Sequence, residues 1–166
     1  MADQTKTNAM RVLDAKKVPY RAAHYGDADA FHSAEEVAAL IGLPSAQVFK
    51  TLVVLSAKGN SKPILAIVPG DQELDLKALA SAAKEKKLRM ASYAEAESLT
   101  GLQVGGISAL ALLNKRWKTF LDESATQWPE IAVSAGQRGI NLIVQVKGLV
   151  KVCGARIAHI SRQQAG

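Results

Sequence analysis

Residues 48–55 read VFKTLVVL, and after the turn-like SAKGNSK the chain continues PILAIV at 63–68. The first run is rich in Val, Leu and Phe and free of Gly and Pro, so it predicts a mostly buried strand, with the second run as its antiparallel partner. Side chains alternate across a strand. Val48, Lys50, Leu52 and Val54 therefore share one face, and Phe49, Thr51, Val53 and Leu55 share the other. An ammonium flanked by apolar residues is disfavoured unless it is paired, hydrated or turned toward a cleft. Two readings of Lys50 follow. It lies near the strand end and snorkels to water along its stem, or it lines a pocket and awaits an anion or a carbonyl oxygen.

The remaining elements are read from periodicity and caps. Residues 5–17 predict a helix with Ala9, Val12 and Leu13 on one side and Pro19 after its end. SAEE at 33–36 is a capping-box pattern that opens a helix to about Ile41, with Gly42 as its stop. Residues 75–86 predict a helix with Leu76, Leu79, Ala80 and Ala83 on its inner stripe, and SYAE at 92–95 opens another that ends near Thr100 and Gly101. Strands are expected at WKTFL (117–121), IAVS (131–134) and INLIVQV (140–146). The tail KGLVKVCGARIAHI fits either a short helix plus a strand or two strands. Trp117 and Trp128 are expected to be packing residues. Helices concentrate in the first half and strands recur without strict βαβ alternation, which points to an α+β fold with a mixed sheet.

At 166 residues the chain suits one domain spanning 1–166. Hydrophobic residues make up 48% and charged residues 22%, an ordinary balance for a globular protein, and no segment has the length of a membrane span. MADQTKTNAM lacks the apolar stretch of a signal peptide and there is a single cysteine, so a cytoplasmic protein without an intramolecular disulfide is expected. The net charge of +6 suits an acidic partner such as nucleic acid, although the basic residues are scattered and a basic solvated surface would look the same. Aromatics at 5% argue against an extended stacking platform for single strands.

Familiar catalytic sets are absent from the sequence. His24, His32 and His159 lack metal-ligand spacing, and Cys153 has no companion cysteine, so neither a metal nor a cofactor is expected. Cys153 sits among apolar neighbours in VKVCG, where a thiol without a base is inert. There is no nucleophile elbow, phosphate loop or dinucleotide fingerprint. Two glycine-bearing stretches stand out: VGGIS at 104–108 and VSAGQRGIN at 133–141. Adjacent glycines let backbone approach a ligand and aim N–H groups at it, but each stretch alone also fits a tight turn.

Together, VFKTL (48–52), VGGIS (104–108) and VSAGQRG (133–139), with a DLKALA helix between the first two, resemble the YbaK family of aminoacyl-tRNA deacylases, related to the editing domain inserted in bacterial prolyl-tRNA synthetases. The resemblance runs from the first helix to about Ser161. It implies a mixed, partly barrel-like sheet surrounded by helices and hydrolysis of the ester joining a wrong amino acid to the tRNA 3′ end, cysteine on tRNA(Pro) in one branch and alanine in another. It implies that Lys50 is the main functional residue and that Gly105, Gly106, Ile107 and Ser108 form part of the pocket wall. Ser134, Gly136, Arg138 and Asn141 are implied as further substrate-binding positions. Asn141 departs from the aspartate often found there, which keeps a hydrogen-bonding side chain but loses its charge. The 24–34 loop, HYGDADAFHSA, also matches poorly, so amino-acid choice is open between cysteine and alanine. The implied mechanism is positioning plus electrostatics, with backbone N–H groups at Gly105 and Gly106 facing the developing oxyanion and, for cysteine, the substrate's own thiol as nucleophile. The implied partners are the acceptor end of tRNA and a prolyl-tRNA synthetase, with no membrane. The rival readings are an alanyl-tRNA deacylase, a non-catalytic tRNA-binding module and a domain with another small ligand in the same pocket.

Overall fold

The computed structural model describes residues 5–59 and 61–164. Helix α1 (Asn8–Ala15) is capped by Thr7, whose hydroxyl accepts from the Met10 N–H, and it buries Ala9, Met10 and Leu13. Strand β1 (Tyr20–His24) leads through a loop to α2 (Ala34–Ile41). Both halves of the Ser33–Glu36 capping box are present, and the helix stops at Gly42 as expected. Strands β2 (Phe49–Ser56) and β3 (Ile64–Pro69) pair antiparallel with Lys50 opposite Val68. Next come β4 (Gln72–Leu74), α3 (Leu76–Ala83), β5 (Leu88–Met90) and α4 (Tyr93–Thr100), the last with its capping box at Ser92 and Glu95. The second half holds β6 (Lys118–Asp122), β7 (Glu130–Ser134), β8 (Ile140–Gln145), α5 (Val146–Cys153), β9 (Arg156–Ala158) and β10 (Ser161–Gln163).

The strands form three sheets, ordered β5-β2-β3-β6-β9, β1-β8-β7 and β10-β4. The five-stranded sheet is mixed: β3–β6 and β6–β9 are parallel and the other pairs antiparallel. The α+β class with a mixed sheet is thus present. Among the described residues the strands close no barrel; a single parallel bridge, Val48 with Ala132, joins the first two sheets. The tail takes the helix-plus-strand alternative as α5 and β9 and adds β10.

The period-2 alternation of β2 divides the core. Phe49 and Val53 join Leu65, Ile67 and Leu121 in a cluster with α1, α5 and the three-stranded sheet, against which Trp117 and Trp128 pack. Val54 joins Ile64, Ala66, Val68 and Phe120 in a second cluster under α3, with Leu52 against it. Lys50 lies on this second side, next to β4. Burying such apolar surface supplies roughly 25 cal/mol per Å² and is the main stabilising term.

β2 is only half covered along one edge. Its register with β5 begins at Val54 opposite Met90. Val53 C=O accepts from Ala91 N–H at 3.0 Å, and backbone groups two residues apart face the same edge. The N–H and C=O of Thr51 therefore face an edge that no described strand occupies.

Candidate active site

A cavity of about 470 Å³ opens along that uncovered edge. β2 contributes Phe49, Lys50, Thr51, Leu52 and Val53; the loop into α2 contributes Tyr25, Phe31, His32 and Ser33; β4 contributes Glu73. The two glycine segments reach it from the other side with Gly105, Ile107, Ser134 and Asn141. The structure thus brings together five positions singled out in the sequence: Lys50, Gly105, Ile107, Ser134 and Asn141. Gly106, Ser108, Gly136 and Arg138 lie behind them rather than on the cavity surface.

Lys50 is half-buried, and its pKa is lowered from the ordinary lysine value because burial strips water from the ammonium. The nearby carboxylates of Glu35, Glu73 and Asp71 partly offset this by attraction. Among the described residues Lys50 makes no ion pair; Glu73 is instead bonded to Arg162 at 2.7 Å. Lys50 thus lines the cavity: its stem runs among apolar neighbours and no described carboxylate contacts its charge.

Ser134 and Asn141 sit directly opposite each other on β7 and β8, so both side chains enter the cavity from one face. Ser134 Oγ also accepts from Gly136 N–H at 3.1 Å, which folds the 134–139 turn back on itself. Arg138 has a structural task. Its Nε donates to Val104 C=O at 2.7 Å, and its guanidinium lies 5.6 Å from the centre of the Phe31 ring. One side chain thereby ties together the loops that carry Phe31, Gly105 and Ser134.

Close backbone approach explains the glycines. A Cβ on Gly106 would lie 2.9 Å from backbone atoms of Gln137 and Arg138, and one on Gly105, where φ is +93°, would lie 3.0 Å from the Phe31 ring. The paired oxyanion donors expected at Gly105 and Gly106 are not both available. Gly106 N–H already donates to Gln103 C=O at 2.8 Å. Gly105 N–H donates to no described residue and Gly105 lines the cavity, so of the two glycines it is the one whose N–H is left open.

Burial pushes the Cys153 thiol up to about 12, far from a thiolate at neutral pH. Among the described residues no cluster of three His, Cys, Asp or Glu side chains could hold a metal ion. Nor is any described helix long and apolar enough to cross a membrane. His32 lines the cavity edge-on to Tyr25, with centroids 5.8 Å apart. Sequence reasoning missed Glu35, Glu73, Met90 and Tyr93 as cavity residues. The capping-box motifs at 33–36 and 92–95 were the available signal for two of them, since both helices begin at the cavity.

A family model described as the aminoacyl-tRNA editing domain matches residues 28–152. A candidate Cys-tRNA(Pro)/Cys-tRNA(Cys) deacylase, EbsC, of Enterococcus faecalis is 37% identical over 97% of this chain and 96% of its own. The multifunctional Ser/Thr-tRNA deacylase ProXp-y of Escherichia coli is 28% identical over 81% of each chain. A proline–tRNA ligase of an Anaeromyxobacter species is 30% identical over 75% of this chain but only 21% of its own length. The crystal structure of hypothetical protein APE2540 superposes with a TM-score of 0.83 at 25% identity, covering 93% of this chain and 99% of that one.

Two outcomes follow from the geometry. Replacing Gly106 by Ala forces the 104–108 and 134–139 segments apart, an overpacking cost of about 1–3 kcal/mol, read as a lower urea midpoint. Lys50→Met removes a desolvated charge and raises that midpoint at neutral pH. The wild-type penalty is present below the lowered folded-state pKa and fades as pH climbs toward the unfolded value of 10.5. The stability gap between Lys50→Met and wild type therefore narrows with rising pH; a constant gap contradicts the burial account. The family match over most of the length, with the three motifs gathered at one cavity, shows that the chain belongs to the aminoacyl-tRNA editing domain family, the YbaK-like deacylases.

Proposed function

We propose that this aminoacyl-tRNA deacylase acts in trans on mischarged tRNA, with cysteine esterified to tRNA(Pro) as its preferred substrate. The observation that carries the reading is Lys50, a cation without a contacting counter-ion at a cavity that also holds Gly105, Ser134 and Asn141. An aminoacyl-tRNA end offers a phosphate and an ester carbonyl. Either is attracted strongly to a poorly hydrated ammonium, because water screens it less there. The Gly105 N–H supplies a fixed dipole for the oxyanion; one such donor is typically worth about 3–4 kcal/mol.

Among the described residues no base is hydrogen-bonded to a serine or threonine hydroxyl at the cavity, which favours a substrate that brings its own nucleophile. In cysteinyl-tRNA the thiol sulfur attacks the ester carbonyl carbon, and the tRNA 3′ oxygen leaves with a proton. The product is a small cyclic thioester that water opens to free cysteine. The cavity needs only to hold the reacting atoms close and stabilise charge. The cysteine preference is further supported by the relative EbsC. Neutral Asn141, in place of aspartate, leaves open a pocket that also accepts alanine or serine, for which bound water would attack. The net charge of +6 suits the tRNA backbone, with affinity falling as salt rises. A prolyl-tRNA synthetase would be the source of the mischarged tRNA, and the cytoplasm the compartment where the two meet.

A panel of tRNA(Pro) charged with cysteine, alanine or serine tests this. Hydrolysis of the cysteinyl ester at least about tenfold faster than the others is expected, since loss of an intramolecular nucleophile removes a large effective concentration. Equal rates would replace the thiol mechanism by water attack. Tight tRNA binding with every ester spared would make the protein a binding module.

A further inference from the structure

Five large apolar side chains stand exposed on the described surface: Phe31, Leu40, Met90, Tyr93 and Ile157. Three of them, Phe31, Met90 and Tyr93, line the one cavity that holds Lys50. Clustering of exposed apolar surface at a site marks a contact with something. Tyr93 is 69% exposed and Met90 40%, so both stand at the mouth rather than in the interior.

We propose that Tyr93, with Met90 beside it, is a stacking shelf for the unpaired nucleotides that precede the esterified one at the tRNA 3′ end. The inference rests on the deacylase reading and adds a subsite to it. If the esterified nucleotide occupies the cavity, the RNA strand must leave through the mouth, and its next bases pass over this rim. Single-stranded RNA is recognised largely by stacking on aromatic faces. The shelf is rigid. Tyr93 opens α4, whose start is fixed by the reciprocal Ser92–Glu95 hydrogen bonds of 3.1 and 2.9 Å. Met90 is pinned by β5 in register with Val54. The neighbouring cation, Arg89, is held by Glu95 at 2.8 Å, so what this edge presents is a ring face more than a free charge. The low aromatic content of the whole chain argued against an extended platform; a single tyrosine placed at the exit suffices for one base.

The test compares Tyr93→Ala and Tyr93→Phe on two esters of the same amino acid: the charged tRNA, and a 3′-aminoacyl-adenosine that has no preceding nucleotide. Tyr93 is exposed, so neither change disturbs packing. With charged tRNA, Tyr93→Ala raises KM on the order of tenfold while kcat changes by less than about threefold, and Tyr93→Phe stays within about twofold of wild type. With aminoacyl-adenosine the KM effect of Tyr93→Ala falls below about threefold. An unchanged KM for charged tRNA, an equal rise on both substrates, or a Phe variant as weak as Ala overturns the shelf. Failure of the wild-type protein to hydrolyse either ester would sink the deacylase reading instead, and the shelf with it.

Discussion

The site depends on an ammonium held away from full hydration without a carboxylate in contact. Lys50 sits on the β2 face that carries Leu52 and buries Val54, and its charge is disfavoured there enough to lower its pKa. Glu35, Glu73 and Asp71 keep it charged from a distance without neutralising it. The arrangement costs stability and, in the proposed function, leaves the charge available to an anion or a polarised oxygen of the substrate. The rest of the fold serves it: β3 backs the strand, β5 stops short at Val54, and the uncovered edge becomes the cavity floor.

The opposite wall is made by contacts that only glycine permits. Gly105 and Gly106 let the 104–108 segment lie against Phe31 and against the backbone of Gln137 and Arg138. Arg138 then locks the three loops through Val104 and Phe31. This is why the two glycine segments, unremarkable as separate turns, acquire meaning as a pair. It is also why the arginine, though part of the motif, positions the wall without touching the cavity.

Much of this was legible from local pattern. The β2–β3 pair, both capping boxes, the helix of residues 76–83 and strands β6, β7 and β8 follow from period, caps and turn chemistry. The short strands β1, β4, β5 and β10 did not stand out, because three- to five-residue strands draw their stability from partners distant in sequence. The same limit hid Glu73, Met90 and Tyr93: nothing near them in the chain says that they meet Lys50. The availability of the Gly106 N–H was misjudged for a related reason, since its turn bond to Gln103 appears only once the loop is folded. Lys50 itself was ambiguous in its own octapeptide; that it lines a cavity beside the gap in β5 coverage is a tertiary fact.

Deacylation by Lys50→Ala, measured beside its folded state, tests the central claim most directly. The account predicts a folded protein, at least as stable as wild type, with cysteinyl-tRNA(Pro) hydrolysis reduced by about a hundredfold or more, the scale of losing one electrostatic contact to the reacting group. A folded Lys50→Ala protein with wild-type rates would contradict it.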